Sequence, residues 1–267
     1  MLDATSPELS QDRAIGQIPP QNPKIPAKPP VCIILHQENS NPGHVGQWFV
    51  RNGYRLDIRK PRFGDALPPT LEHHCGCVIF GGPMSANDQD DFVRAEIEWI
   101  EVPLRERKPF LGICLGAQML TVNLGAKVGF HPEELVEIGY YPLVATEAGK
   151  ALGQFPDHVY EWHKEGFELP RGARLIAASQ GAFPNQAFIY GPTAVGVQFH
   201  PEITYAQVHR WTGHNPQRLA MKGARSRQQH IDGHVTHAPR VQAWLDRFLS
   251  RWILGGLVEP AAAALAP

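Results

Sequence analysis

The sequence lacks an excess of charge of either sign: 25 lysines and arginines stand against 26 aspartates and glutamates, a formal net charge of -1. Non-specific nucleic-acid binding and polybasic membrane binding both rely on a basic excess, so neither nucleic acid nor a membrane is an expected partner. Long apolar runs are missing too. No stretch approaches the ~20 apolar residues of a spanning helix, and the N-terminus MLDATSPELS lacks the apolar segment that marks secretion. A cytoplasmic protein is expected. Cysteine is scarce: Cys32, Cys75, Cys77 and Cys114 are too few for a disulfide scaffold in 267 residues and form no C-x-x-C pair for zinc. Cys75 and Cys77 read as small apolar side chains sharing one strand face. With 43% hydrophobic and 19% charged residues, the chain can build a core. Its length allows two small domains or one large α/β domain.

Seven of the 25 prolines fall within residues 1–30, where hydrophobic periodicity is absent, so this stretch reads as an extended or disordered leader. The domain is expected over 31–255, with a low-complexity tail at 256–267. VCIIL, CGCVIF and PFLGI have the β-branched, continuous apolar character of buried parallel strands, and helix-compatible segments alternate with them at 44–51, 91–107 and 115–124. Further strands are expected in VEIGYYPLVA, ARLIAAS, NQAFIYG and TAVGVQF, and a closing helix at 241–254. This alternation indicates an α/β fold with an open, mostly parallel sheet covered by helices on both faces. Residues 213–239, with His214, His230, His234 and His237, read as a polar insertion on the surface and not as a metal site, because no cysteine or acidic set completes a ligand group.

The chemistry concentrates in three strand ends. Gly112-Ile113-Cys114-Leu115-Gly116 is a strand-to-helix G-x-C-x-G, the thiol form of a nucleophile elbow, and a cysteine at a helix N-terminus meets free N–H groups that favour the thiolate. GVQFHPE places His200 directly after an apolar strand, with Glu202 two residues on and the rigid Pro201 between them, so the carboxylate can turn back and orient the imidazole. GGPMS (81–85) offers backbone N–H donors: Gly82 permits close approach to a substrate, and the Leu115 amide is the natural second oxyanion donor.

In this order, GGPMS, GICLGAQ and GVQFHPE resemble the class I, or triad, glutamine amidotransferase family. Through EIGYYPL, YEWHKEGFELP and NQAF the chain looks most like the amidotransferase domain of GMP synthase and its stand-alone relatives. The resemblance implies a flavodoxin-like sheet, a Cys114–His200–Glu202 triad, oxyanion donors at Gly82 and Leu115, and a substrate contact at Gln118. It also implies that the segment Trp162 to Glu165, with His163 and Glu165, holds the substrate's α-amino and α-carboxylate groups. No cofactor and no metal are implied. Met84 stands where many members carry glycine, and Lys164-Glu165-Gly166 where close relatives often show Gly-Asp-Thr. Lys164 adds a cation that can meet a carboxylate, which leaves open a γ-glutamyl compound other than glutamine.

A G-x-x-x-x-G-K phosphate loop and an SGGxDS-like pyrophosphatase loop are both missing, and no room for an acceptor domain is expected after residue 202. Three readings follow: a glutaminase that hands ammonia to a separate synthetase partner, a stand-alone γ-glutamyl amide or peptide hydrolase, and a non-catalytic regulatory binding module.

Overall fold

The computed structural model describes residues 27–255 and residue 257. The expected leader lies outside the described residues except for 27–30, as does the expected tail except for Leu257. Chain order begins β1 (Val31–Ile34), α1 (Gly43–Arg51), β2 (Leu56–Arg59), β3 (Gly76–Ile79), α2 (Asp91–Trp99), α3 (Glu101–Arg105), β4 (Phe110–Ile113) and α4 (Leu115–Asn123). It continues with β5 (Val128–Phe130), β6 (Glu137–Pro142), β7 (Val144–Ala145), α5 (Glu147–Lys150), β8 (His158–His163) and β9 (Glu165–Phe167). The last elements are β10 (Arg174–Ala178), β11 (Asn185–Tyr190), β12 (Ala194–Val197), α6 (Tyr205–His214), α7 (Pro216–Leu219) and α8 (Arg227–Trp252).

Eight strands form one sheet in the order β2-β1-β3-β4-β12-β11-β10-β7. From β2 to β12 neighbours run parallel, and the last three pairings are antiparallel. The central strands VCII, GCVI, FLGI and AVGV are buried at every position because helices cover both faces, while the edge strand β2, LDIR, keeps polar residues. Alternation splits the core in two. Val31 and Ile33 face α1 (Val45, Trp48, Phe49) and α8 (Trp244, Leu245, Phe248); Cys32, Ile34, Cys77 and Ile79 face α2 and α4 (Val93, Trp99, Met119, Leu120). No helix among the described residues is long and apolar enough to cross a membrane.

Cys75 departs from its expected place. The strand begins at Gly76, so the alternation does not reach Cys75, which is half-buried and packs against the other face from Cys77. The helical segment over 91–107, in which Pro103 predicts a kink or a break into a second segment, divides at Ile100 into α2 and α3, and Pro103 lies inside α3. Residues 213–239 divide. Up to Gln229 none is buried, in keeping with a surface segment, but α8 starts at Arg227, behind a Ser226–Gln229 capping box, and runs through Pro239 as one helix with the expected closing segment. His230 and His234 are buried against β6 and β8, where the Tyr160 and Tyr140 hydroxyls each lie 2.9 Å from a histidine Nδ1. Burial lowers both imidazoles to about 4, so these histidines are neutral packing groups.

Candidate active site

Because β1, β3, β4 and β12 run parallel, their carboxyl ends line one sheet edge and bring His36, Gly81, Cys114 and His200 together. Cys114 lies between β4 and α4 at φ 51 and ψ -105, a conformation that non-glycine residues reach only under strain. Its flanking glycines are required by space. A Cβ on Gly112 would meet the Gly116 carbonyl oxygen at 2.4 Å, and one on Gly116 would meet that of Ile79 at 2.1 Å. The Cys114 N–H donates to the Val197 carbonyl at 2.8 Å, tying the elbow to β12. Leu115 opens α4, so its amide is among the first N–H groups, which have no partner inside the helix.

His200 is 3% exposed, and its N–H donates to the Tyr160 carbonyl at 2.8 Å. Its Nδ1 lies 2.8 Å from Glu202 Oε1, leaving Nε2 as the ring nitrogen open to the thiol. Burial disfavours the imidazolium, but the Glu202 carboxylate and the Cys114 sulfur outweigh it and raise the pKa well above the usual histidine value. Gly81 fits between the two side chains: a Cβ there would stand 2.7 Å from His200 Cε1 and 3.4 Å from Cys114 Cβ. Trp211, from α6, sets its ring edge-to-face on His200 with centroids 5.0 Å apart.

Burial pushes Cys32 up to about 12 and Cys75 up to about 11, and raises Cys77 well above the usual range. His74, the imidazole near Cys32, is paired with Asp57 at 2.9 Å.

The loop after β3 is held from below by a pair that the motif reading missed. His36 Nδ1 donates to the Gly81 carbonyl at 3.1 Å, and its Nε2 pairs with Glu96 Oε2 at 2.8 Å, both side chains fully buried. The available signals were a histidine ending an apolar strand and a glutamate spaced with Val93 and Trp99 on the buried face of α2. Trp211 was missed as well. Its helix announces itself by the Thr204–Gln207 capping box, not by an apolar stripe.

Two recesses meet at Cys114, Gly82 and Trp162. The larger, about 110 Å³, is bordered by His200 and Glu202; the smaller, about 20 Å³, by Met84, Gln118, Lys164 and Glu165. The smaller one is a braced structure. Gln118 Nε2 donates to the Glu165 carbonyl at 2.8 Å, and Ser85 Oγ donates to Glu165 Oε1 at 2.9 Å. His163 borders it too, but its imidazole is consumed by the scaffold: Nδ1 donates to the Glu165 carbonyl at 2.9 Å, and Nε2 lies 3.2 Å from Glu161 and 3.4 Å from Glu137. Burial opposes its charge, yet the two glutamates carry it up to about 10, while burial pushes the Glu161 carboxyl up to about 7. This cluster offers three ligand atoms within 4.8 Å of one another, as do Cys32–Asp57–His74 and Asp157–His158–His237. In each, hydrogen bonds or ion pairs within the protein already join the histidine to a carboxylate.

The class-I glutamine amidotransferase family matches residues 47–211. The glutamine amidotransferase-like protein YfeJ of Salmonella typhimurium is 34% identical over 200 residues, covering 71% of this chain and 82% of that protein. One subunit of the glutamine-hydrolysing GMP synthase of Ignicoccus hospitalis is 32% identical over 145 residues, 53% of this chain and 74% of that one. Among solved structures, a glutamine amidotransferase of Methylobacillus flagellatus superposes with a TM-score of 0.79 at 28% identity, covering 85% of this chain and 95% of that chain. Mixed sheet, elbow cysteine and extent of match agree: the chain belongs to the class-I glutamine amidotransferase family.

Proposed function

We propose that the protein hydrolyses the side-chain amide of glutamine to glutamate and ammonia through a thioester on Cys114. The observation that carries this reading is the meeting of Cys114, on its positive-φ elbow, with the buried His200–Glu202 pair at one recess. The Cys114 sulfur attacks the carboxamide carbon, and the developing oxyanion is received by the Leu115 and Gly82 amides. His200 Nε2 gives its proton to the departing ammonia, while Glu202 holds the ring through Nδ1. Water, relieved of a proton by His200, then cleaves the thioester. Gln118, Met84 and Glu165 shape the recess for the glutamyl end, with Lys164 beside them as a cation for its carboxylate; His163 acts indirectly by fixing Glu165.

The likeness to one subunit of a GMP synthase supports delivery of the ammonia to a synthetase partner, and a cytoplasmic setting goes with that reading. The test is glutamate release from glutamine by the purified protein, alone and with an ATP-dependent synthetase partner, against the C114A variant. A thioester reading requires that C114A be inactive and that the wild type carry a γ-glutamyl adduct on Cys114 after acid quench. Equal release by both proteins overturns it.

A further inference from the structure

The two recesses divide a bound γ-glutamyl compound at its reacting carbon. With that carbon at Cys114 and its oxygen toward the Leu115 and Gly82 amides, the leaving nitrogen must face His200 to receive a proton. Whatever the nitrogen carries therefore extends into the recess that His200 borders. That is the larger one, about 110 Å³ against about 20 Å³ on the Gln118 side. Ammonia needs no such space; several heavy atoms fit there.

The wall of this recess is cationic. Arg210 of α6 and Arg218 of α7 both border it, Arg218 at the seam with the smaller recess, together with the amides of Asn41 and Asn215. Its single acidic lining residue, Glu202, is committed to His200. Arg210 donates to the Asn39 carbonyl at 3.3 Å, and among the described ion pairs neither arginine meets a carboxylate. Two guanidinium groups without an acidic partner at the border of this recess complement an anion, and their planar forks suit a carboxylate. Arg218 comes from the segment 213–239, for which the sequence supplied no role.

We infer that the larger recess is a leaving-group subsite for an amine bearing a carboxylate, which makes γ-glutamyl amino acids substrates of this centre. The inference rests on the Cys114 reading proposed above. The C–S bond to Cys114 forms as the amide C–N bond breaks, and the amino acid departs with the proton from His200. Water then adds to the thioester, releasing glutamate and returning the thiol; no electron carrier takes part.

The experiment compares γ-glutamylglycine with γ-glutamylglycinamide, which lacks only the carboxylate charge, and with glutamine, by glutamate release. The expected kcat/KM for γ-glutamylglycine exceeds that for the glycinamide about tenfold or more, as a charge-assisted contact warrants. R210A/R218A brings the ratio toward one, and R210K/R218K keeps part of it. Equal values in the wild type, or a ratio that survives R210A/R218A, overturn the subsite. Calorimetric binding of the same two dipeptides to C114A reads the preference without turnover, and equal affinities there also overturn it. Failure of the nucleophile assignment looks different, since C114A then still releases glutamate.

Discussion

His200 and His163 occupy chemically similar surroundings and end in different roles. Both imidazoles are buried, both face glutamate, and both are raised above the ordinary histidine value because those carboxylates outweigh the cost of burial. At His163 the whole ring is used: two glutamates share Nε2 and a backbone carbonyl takes Nδ1. At His200 one glutamate takes Nδ1, while Nε2 is left to a thiol at the border of a recess. His36, spanning Glu96 and the Gly81 carbonyl, falls on the His163 side. A buried histidine–carboxylate pair is therefore a bracket unless one nitrogen remains for a reacting atom, and the neighbours decide which it is.

Breaking the two pairs should separate turnover from stability. C114A and H200A are expected to lower glutamate release by about 10³-fold or more, as loss of a nucleophile or its base does; C114A should change Tm little, while H200A should also lower it, because the buried Glu202 carboxylate loses its partner. E202Q should lower kcat by roughly 10²–10⁴-fold, because the amide holds the ring but cannot stabilise the imidazolium. Turnover within a factor of a few of wild type would demote Glu202 to a structural brace.

H163Q acts on the other side of the comparison. It leaves Glu137 and Glu161 facing each other without a cation, at a cost of about 3–5 kcal/mol for a broken buried pair. Thermal unfolding should show a fall in Tm of roughly 10 °C. A Tm near that of the wild type would mean the cluster is not a bracket. The pH dependence sharpens this. His163 is raised from 6.5 to about 10, so its contribution is fully present below pH 6.5 and is lost as pH rises through about 10. The Tm gap between wild type and H163Q should narrow across that window.

His230 and His234 carry the opposite sign and the smallest effect. Their imidazoles are lowered from 6.5 to about 4, so the unfolded chain binds protons that the folded one refuses between those values. Stability should fall as pH drops from 6.5 toward 4, and H230Q/H234Q should flatten the slope of Tm against pH there. A slope unchanged by the double variant would place the acid sensitivity elsewhere.

Legibility in the sequence followed chemistry. The strands VCII, GCVI and FLGI were readable because burial on both faces leaves an unbroken apolar run. The elbow and the His-Pro-Glu turn were readable because their neighbours are constrained: Gly112 and Gly116 have backbone where a Cβ would stand. The strands β8 and β9 and the first half of α8 were not. Their buried faces carry Glu161, His163, His230 and His234, and a periodicity argument scores such residues as solvent-facing. Glu96 and Glu137 were hidden for the same reason.

The alternation of strand and helix, the elbow at Cys114 and the adjacency of His200 to Glu202 are legible in the chain, since each is a local property set by a few neighbouring side chains and the steric limits of the backbone, and the motifs around them carry the family resemblance. Which histidines keep a nitrogen free, the start of α8 at Arg227 and the placing of Arg210 and Arg218 on the His200 side of Cys114 follow from packing. Those outcomes depend on pairs distant in the chain, such as His163 with Glu137 or Cys114 with Arg218, and no local pattern records where such partners meet.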